Sequence, residues 1–217
     1  DMTATAFTGA AYVHNNFVLG TVALDTGTDV EGSMVSNNYV GEDLLLKNRA
    51  ICVANRVEDT LSLLRVPESS VVLGNSAKIS LVLNSIQYST VIGNIAGEST
   101  GGAITSTANL SLLSGDNCTV SSNIVTGNLD ADSTTNQAIS GNVVENYIQV
   151  PTTAAASFVL SGNIAASVAT TAASPGPDVD PDVAPYSSII VGNRFTNALP
   201  IFGTAVDGAG RSSNVKV

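Results

Sequence analysis

Acidic pairs are the side chains of this sequence that could do chemistry. Cleavage of a glycosidic bond needs two carboxylates at a defined separation, or a calcium-held carboxylate cluster with a basic residue as proton acceptor. The chain offers three pairs: Glu42 with Asp43, Glu58 with Asp59, and Asp130 with Asp132. No Lys or Arg repeats beside them at matching positions, apart from Lys47 and Arg49. The pattern therefore indicates solvated exterior acids and predicts a protein that is not an enzyme, with a polysaccharide lyase or hydrolase as the alternative.

A further acidic group stands at Asp178, Asp180 and Asp182, in a segment rich in proline. Alternating carboxylates supply hard oxygen ligands of the kind that Ca²⁺ prefers. An EF-hand loop, however, also needs a Gly at its sixth position and a Glu at its twelfth, and prolines stiffen the chain. The segment is predicted to be a solvated loop or a subunit contact, with the three aspartates as the candidate calcium ligands. No cofactor is predicted.

The remaining reactive side chains are isolated. His14 is the single histidine and is expected to face solvent. Cys52 and Cys118 lie three repeats apart, about 14 Å at a strand spacing of about 4.8 Å, whereas a disulfide joins Cα atoms within about 7 Å. Both are predicted to be small core residues. Asn109-Leu-Ser and Asn117-Cys-Thr are glycosylation sequons, which matter only in a host that glycosylates exported proteins.

The elements that must position these side chains are visible as nine asparagines in one short apolar frame. They are Asn16, Asn38, Asn55, Asn75, Asn94, Asn123, Asn142, Asn163 and Asn193. Six of the eight gaps between them are 17–22 residues, and the other two are 29 and 30. An apolar residue stands three positions before and another two positions after each asparagine, and both are predicted to face inward. A period near 20 residues is typical of a solenoid, in which each repeat packs only on its neighbours.

The residue before each repeated asparagine is small or polar, and it is Gly in five of the nine repeats. Gly and Asn reach left-handed backbone angles at low cost, so this frame predicts a strand–turn–strand unit. We expect Asn75, Asn94, Asn142 and Asn163 to occupy left-handed or bridge-region turns and to lie above one another. Asparagine side chains in such a stack can hydrogen-bond along the axis, so all nine are predicted to form a structural ladder.

Five repeat units are preserved well enough to compare with known folds. They read VVLGNSA at 71–77, TVIGNIA at 90–96, AISGNVV at 138–144, VLSGNIA at 159–165 and IIVGNRF at 189–195. Over about residues 11–200 this unit resembles that of the pectate-lyase-like superfamily. The resemblance implies an all-β fold, a right-handed parallel β-helix of about nine rungs. The superfamily includes polysaccharide lyases and hydrolases, phage tailspikes and structural fibres, so the resemblance is specific for fold and not for activity.

The chain is interpreted as one solenoid domain spanning 1–217, with turn insertions near 97–117 and 170–188, where the two long gaps fall. It begins with Asp1 rather than Met, so we expect a processed form or a fragment.

Composition excludes several classes of partner. The net charge is −10, with only eight Lys and Arg residues. Nucleic acids and anionic membranes require clustered cations, so neither is predicted as a partner. No apolar run reaches the length of a membrane-spanning helix, and no membrane insertion is predicted.

The predicted function is structural: a self-associating, non-enzymatic subunit of an extracellular or particle-surface assembly such as a filament, fibre or spike. The exterior is charge-poor, and the first rung begins near residue 11, which leaves an open strand stack on which another copy can dock. The expected contacts are the segment Asp1–Ala11 and the apolar residues Leu199, Ile201 and Phe202.

The alternative is a carbohydrate-binding or polysaccharide-cleaving tailspike-like module, with surface glycans as the partner. A pocket of stacked aromatic rings would favour it. The tyrosines do not share one repeat position; they are Tyr12, Tyr39, Tyr88, Tyr147 and Tyr186.

Overall fold

β-Strands account for all regular structure in the described part of the chain. The computed structural model describes residues 2–7, 11–26, 33–48, 50–64, 69–100, 103–131, 136–150, 158–169, 189–196, 211–212 and 215–216. Within these ranges no helix is long and apolar enough to cross a membrane. Val, Leu, Ser, Ile and Ala are the commonest residues of the strands, and the β-branched Val and Ile suit a pleated, half-buried surface.

The strands, numbered in chain order, form three long sheets. The first sheet contains β1 (Met2–Phe7), β4 (Val22–Thr26), β7 (Leu44–Lys47), β10 (Thr60–Leu64), β13 (Ser80–Asn84), β18 (Asn109–Leu113), β21 (Leu129–Asp130), β24 (Tyr147–Gln149) and β27 (Ser167–Ala169). The second sheet contains β2 (Tyr12–His14), β5 (Ser33–Ser36), β8 (Ala50–Val53), β11 (Val71–Leu73), β14 (Thr90–Ile92), β19 (Thr119–Ser121), β22 (Gln137–Ser140), β25 (Phe158–Ser161), β28 (Ile189–Val191) and β30 (Arg211–Ser212). The third sheet contains β3 (Phe17–Val18), β6 (Tyr39–Val40), β9 (Arg56–Val57), β12 (Ser76–Ala77), β15 (Ile95–Ala96), β20 (Ile124–Val125), β23 (Val143–Val144), β26 (Ile164–Ala165), β29 (Arg194–Phe195) and β31 (Val215–Lys216).

The chain visits the three sheets in turn, and each strand pairs in parallel with the equivalent strand one turn later. Val72, for example, lies between Cys52 and Val91, the residues at the same offset from their own asparagines. This arrangement is a parallel β-solenoid, so the predicted fold class is confirmed.

The expectation of about nine rungs is too high for the regular part of the solenoid. Among the described residues, six turns combine three strands, buried inward residues and no insertion: 33–48, 50–64, 69–84, 118–131, 136–150 and 158–169. In the turn before them the inward residues Val13 and Val18 are only half-buried. The solenoid also begins earlier than residue 11, because the strand Met2–Phe7 already pairs with Val22–Thr26.

The interior contains the columns that the repeat predicts. Val91 and Ile139, three residues before their asparagines, are fully buried, and so are Val40 and Val125, two residues after theirs. Additional inward columns, beyond the two predicted before and after each asparagine, come from the first sheet. One of these is an aligned series of apolar residues: Val22, Leu44, Leu61, Leu81, Leu110, Leu129, Ile148 and Val168.

The predicted insertion at 97–117 is shorter than expected. The extra residues form an antiparallel hairpin of β16 (Glu98–Thr100) and β17 (Ala103–Ser106). Asn109–Leu113 is not part of it but a regular strand of the first sheet. Thr126 holds the base of the hairpin, since its Oγ1 donates to the carbonyl of Ser106 at 2.8 Å and accepts the N–H of Ala108 at 3.0 Å. The second predicted insertion, 170–188, lies outside the described residues.

The corner between the second and third sheets is left-handed in all nine repeats, with φ between +53° and +66°. The left-handed residue is the one before each asparagine, so Asn75, Asn94, Asn142 and Asn163 are not themselves left-handed, which corrects that half of the expectation. Because the preceding residue makes the bend, the asparagine is left to turn its side chain into the interior.

Exchanging residues at this corner should shift stability in opposite directions. An added Cβ at Gly141, where φ is +63°, would meet only Ser122 Oγ at 3.9 Å. Gly141→Ala should therefore cost little beyond left-handed backbone strain, a net loss of about 0.5–1 kcal/mol in the free energy of unfolding. Ala54 bears that strain already, at φ +53°, so Ala54→Gly should be stabilising by about 0.5–1 kcal/mol. Urea unfolding measures both, and shifts of equal sign would contradict this account of the corner.

Candidate functional site

A ladder of asparagines, half-buried at Asn16 and buried from Asn38 to Asn193, fixes the corner that leads into the third sheet. In each successive pair from Asn16 to Asn193, the earlier residue donates both its backbone N–H and its Nδ2 to the Oδ1 of the later one, at 2.9–3.1 Å. From Asn38 onward, Nδ2 also donates to a carbonyl of the preceding turn at 2.8–3.1 Å. These bonds hold every third-sheet strand at one height on its turn.

The residue directly after each asparagine points outward on the third sheet, and these residues form what we call the outer column. Its members are Phe17, Tyr39, Arg56, Ser76, Ile95, Ile124, Val143, Ile164 and Arg194. Each third-sheet strand is only two residues long, so one side chain faces inward and one faces solvent. The ladder thus places a single file of side chains along the outside of the solenoid.

Four consecutive members in the later half of the outer column, before Arg194, are apolar. Ile95, Ile124, Val143 and Ile164 are 39–49% exposed on four consecutive strands. Scattered surface apolar residues are ordinary, but a contiguous file of them is not. We call these four residues the apolar ridge.

The early half of the outer column is aromatic and cationic. The rings of Phe17 and Tyr39 stack with centroids 4.7 Å apart and planes inclined by 9°. The guanidinium carbon of Arg56 lies 5.9 Å from the centre of the Tyr39 ring. The positions of the tyrosines do not predict this stack, because Phe17 and not a second tyrosine stands at the matching offset. The available signal was an aromatic residue directly after Asn16 and again after Asn38.

A chain of charges flanks the middle of the column. Arg56 Nε donates to Glu58 Oε1 at 2.7 Å, and this bond, with the charge of Glu58, raises the pKa of the Arg56 guanidinium. Lys78 Nζ lies 3.9 Å from Glu58 and 3.2 Å from Glu98. Together with Ser76, Ile95 and their neighbours, these side chains line an open depression of about 350 Å³. Alternating charges leave no strong field of one sign in it.

The acids considered for catalysis bind neighbouring groups of the fold. Glu42 accepts the hydroxyl of Thr21 at 3.0 Å, and Asp43 accepts the backbone N–H of Thr60 at 3.1 Å. Asp59 accepts the hydroxyl of Thr60 at 3.1 Å. Asp130 accepts the hydroxyl of Ser111 at 3.3 Å.

Glu58 belongs to the charge chain, and Lys47 pairs with Asp25 at 2.7 Å. Searching the described side chains finds no group of three or more His, Cys, Asp or Glu that could hold a metal ion. Several candidate residues lie outside the described part of the chain: Arg49, Asp132, Asp178, Asp180, Asp182, Leu199, Ile201 and Phe202.

The isolated residues take the positions expected of them. Cys52 and Cys118 are buried free thiols. Burial raises the pKa of the Cys52 thiol to about 12 and also raises the pKa of Cys118, so both thiols stay protonated near neutral pH. His14 is exposed, with its Nδ1 3.2 Å from the side-chain amide of Asn15. Asn117 is exposed, whereas Asn109 is half-buried and accepts the N–H of Asn128 at 2.9 Å.

Comparison of the chain with protein-family models, with curated proteins and with solved structures gave no match.

Proposed function

We propose that this protein is a self-associating, non-enzymatic structural subunit of an extracellular or particle-surface assembly such as a filament, fibre or spike. The apolar ridge is the observation that carries the proposal. The same proposal holds that the solenoid winds in the right-handed sense and that the protein belongs to the pectate-lyase-like superfamily, which includes tailspikes and fibres.

The ridge supports association because its side chains are apolar, and apolar surface has a lower free energy when it is buried than when it faces water. Ile124, at its middle, is 49% exposed, although β-branched residues at this offset are not needed for the turn: Ser76 and Arg56 occupy it elsewhere. Burying exposed apolar surface is worth about 25 cal/mol per Å², and a file of such residues adds up along the axis. Neighbouring solenoids that bury their ridges would lie side by side, as subunits of a fibre do.

Sedimentation velocity over a concentration series tests the proposal. Wild-type protein should sediment as a dimer or a larger species at high concentration. The double variant Ile124→Glu, Val143→Glu should sediment as a monomer, because two carboxylates on the ridge would have to be desolvated on association. Far-UV circular dichroism should be unchanged, since both side chains already face solvent.

Ile79→Glu is the matched control, because Ile79 is 50% exposed and lies off the outer column. It adds one carboxylate, as the single variant Ile124→Glu does and against two in the double variant, and it should assemble as the wild type does. Wild-type protein that remains monomeric at the highest concentration would remove the proposal.

Glycan binding is the second candidate function, and the stack of Phe17 and Tyr39 beside Arg56 favours it. Phe17 is 70% exposed, and sugars pack their apolar faces on aromatic rings of this kind. If neutral and acidic oligosaccharides bind in calorimetry, Phe17→Ala should weaken binding about tenfold, the equivalent of one aromatic contact. Leu19→Ala, at a residue that is 74% exposed in the same turn, should not. No binding by wild-type protein would eliminate this candidate.

A further inference from the structure

We infer that the occupant of the outer column is a second copy of this chain, lying antiparallel on it about a two-fold axis between Ile124 and Val143. The inference rests on the proposed self-association and adds which face meets which, and in what direction. Three observations along the column carry it: the length of the apolar ridge, the small residues beside it and the cations at its two ends.

The ridge is centred on the proposed axis. Its four members occupy consecutive strands, β15, β20, β23 and β26, with two of them on each side of the midpoint between Ile124 and Val143. At about 4.8 Å per strand the ridge is about 14 Å long. A two-fold axis at the midpoint places Ile95 opposite the second copy's Ile164, and Ile124 opposite its Val143. Each copy then covers the whole ridge of the other, as an isologous interface requires.

Small residues at the adjoining corner leave room for the second copy. Gly93, Ser122, Gly141 and Gly162 are exposed there, directly beside the ridge. Their left-handed backbone does not by itself demand Gly, because Asn37 adopts the same conformation at φ +54°. A Cβ added at Gly93 or Gly162 would meet nothing within 4 Å, so the chain itself does not fill that space. The ridge therefore stands clear of its neighbours on this side, where another ridge can approach it.

The positions of the cations favour an antiparallel over a parallel arrangement of the two copies. Arg56 lies two strands before the ridge and Arg194 one strand after it. Two parallel copies at equal height would set Arg194 opposite its own counterpart, and facing like charges oppose association. Arg56 distinguishes the arrangements less, because Glu58 pairs with it at 2.7 Å. In the antiparallel arrangement Arg194 instead lies at the same height along the axis as the second copy's Ser76. Lys78, near that level, already has a carboxylate partner in Glu98 at 3.2 Å.

Cross-linking with a short bismaleimide distinguishes the arrangements. Ile95→Cys and Ile164→Cys are prepared separately and are treated alone and as an equal mixture, with wild type as the control for the buried thiols of Cys52 and Cys118. Covalent dimer should form in the mixture. It should be absent when either variant is treated alone, because identical positions lie about 14 Å apart along the axis in the antiparallel pair, too far for a short cross-linker.

Each other result overturns the inference in its own way. Dimer from either variant alone, and less from the mixture, would indicate the parallel arrangement. No cross-link in any sample, with wild-type protein sedimenting as a dimer, would assign the contact to another face and leave the proposed function standing. Wild-type protein that sediments as a monomer would remove the proposed function together with this inference.

Discussion

Asn142→Ala is expected to lower the free energy of unfolding by about 2–6 kcal/mol, since it removes the acceptor of two buried hydrogen bonds from Asn123 and both bonds that the Asn142 side chain donates. Asn142 Oδ1 accepts both the backbone N–H and the Nδ2 of Asn123, each at 3.0 Å. Its own Nδ2 donates to the carbonyl of Val120 at 3.1 Å and to Asn163 Oδ1 at 2.9 Å. No water can replace these bonds readily, because Asn142 is 0% exposed.

Urea unfolding followed by circular dichroism measures this loss. The matched control is Asn146→Ala, in the same turn, where the side chain is exposed. It should change stability by no more than about 0.5 kcal/mol, as surface substitutions usually do. Equal stabilities of the two variants would show that the ladder is a geometric coincidence and contributes nothing to stability.

Ile139→Ala is the second substitution with a large expected effect, a loss of about 2–5 kcal/mol. Ile139 lies between Val120 and Leu160 in the second sheet, and all three are 0% exposed. Truncation removes apolar contacts and leaves a cavity, because the hydrogen-bonded strands above and below cannot move together to close it.

Ile79→Ala serves as the control for this substitution. Ile79 is 50% exposed, so the same truncation there should cost less than about 1 kcal/mol. Comparable losses at residues 79 and 139 in chemical denaturation would mean that Ile139 is not part of a tightly packed interior.

The inward column of the first sheet was not predicted, although its residue stands six positions after the asparagine in six of its eight turns. Leu44 stands six residues after Asn38, whereas its partner in the same column, Leu110, stands sixteen residues after Asn94. The hairpin of β16 and β17 causes the difference. Gly101-Gly102 in the sequence is a hairpin-turn signal, but it does not tell where the hairpin ends and the first-sheet strand begins. The number of residues from the repeated asparagine to the inward first-sheet residue is constant only where nothing is inserted between them. The inward leucine of the interrupted turn can therefore be identified only once the hairpin is located.

The residue types and contacts of the outer column could not be predicted from the repeat. Inward positions must be apolar in every turn and therefore repeat visibly, whereas an outward position accepts Phe17, Arg56, Ser76 or Ile124 without harm to the fold. Residue types at that offset vary, and the repeat alone does not indicate that neighbouring members touch. The stack of Phe17 on Tyr39 depends on the register of β3 against β6, which is a property of the assembled sheet.

By itself, the sequence determined the parallel solenoid, because stacked turns must present the same inward residues and the same corner at each level. Nine asparagines with an apolar residue three before and two after suffice for that conclusion. Only the tertiary structure decided that the preceding residue carries the left-handed bend, that the hairpin ends at Ser106, and that four aliphatic side chains align as an exposed ridge. The physical reason is that hydrogen bonds between turns about 20 residues or more apart fix these features, whereas local preference allows the left-handed bend at Gly and at Asn alike.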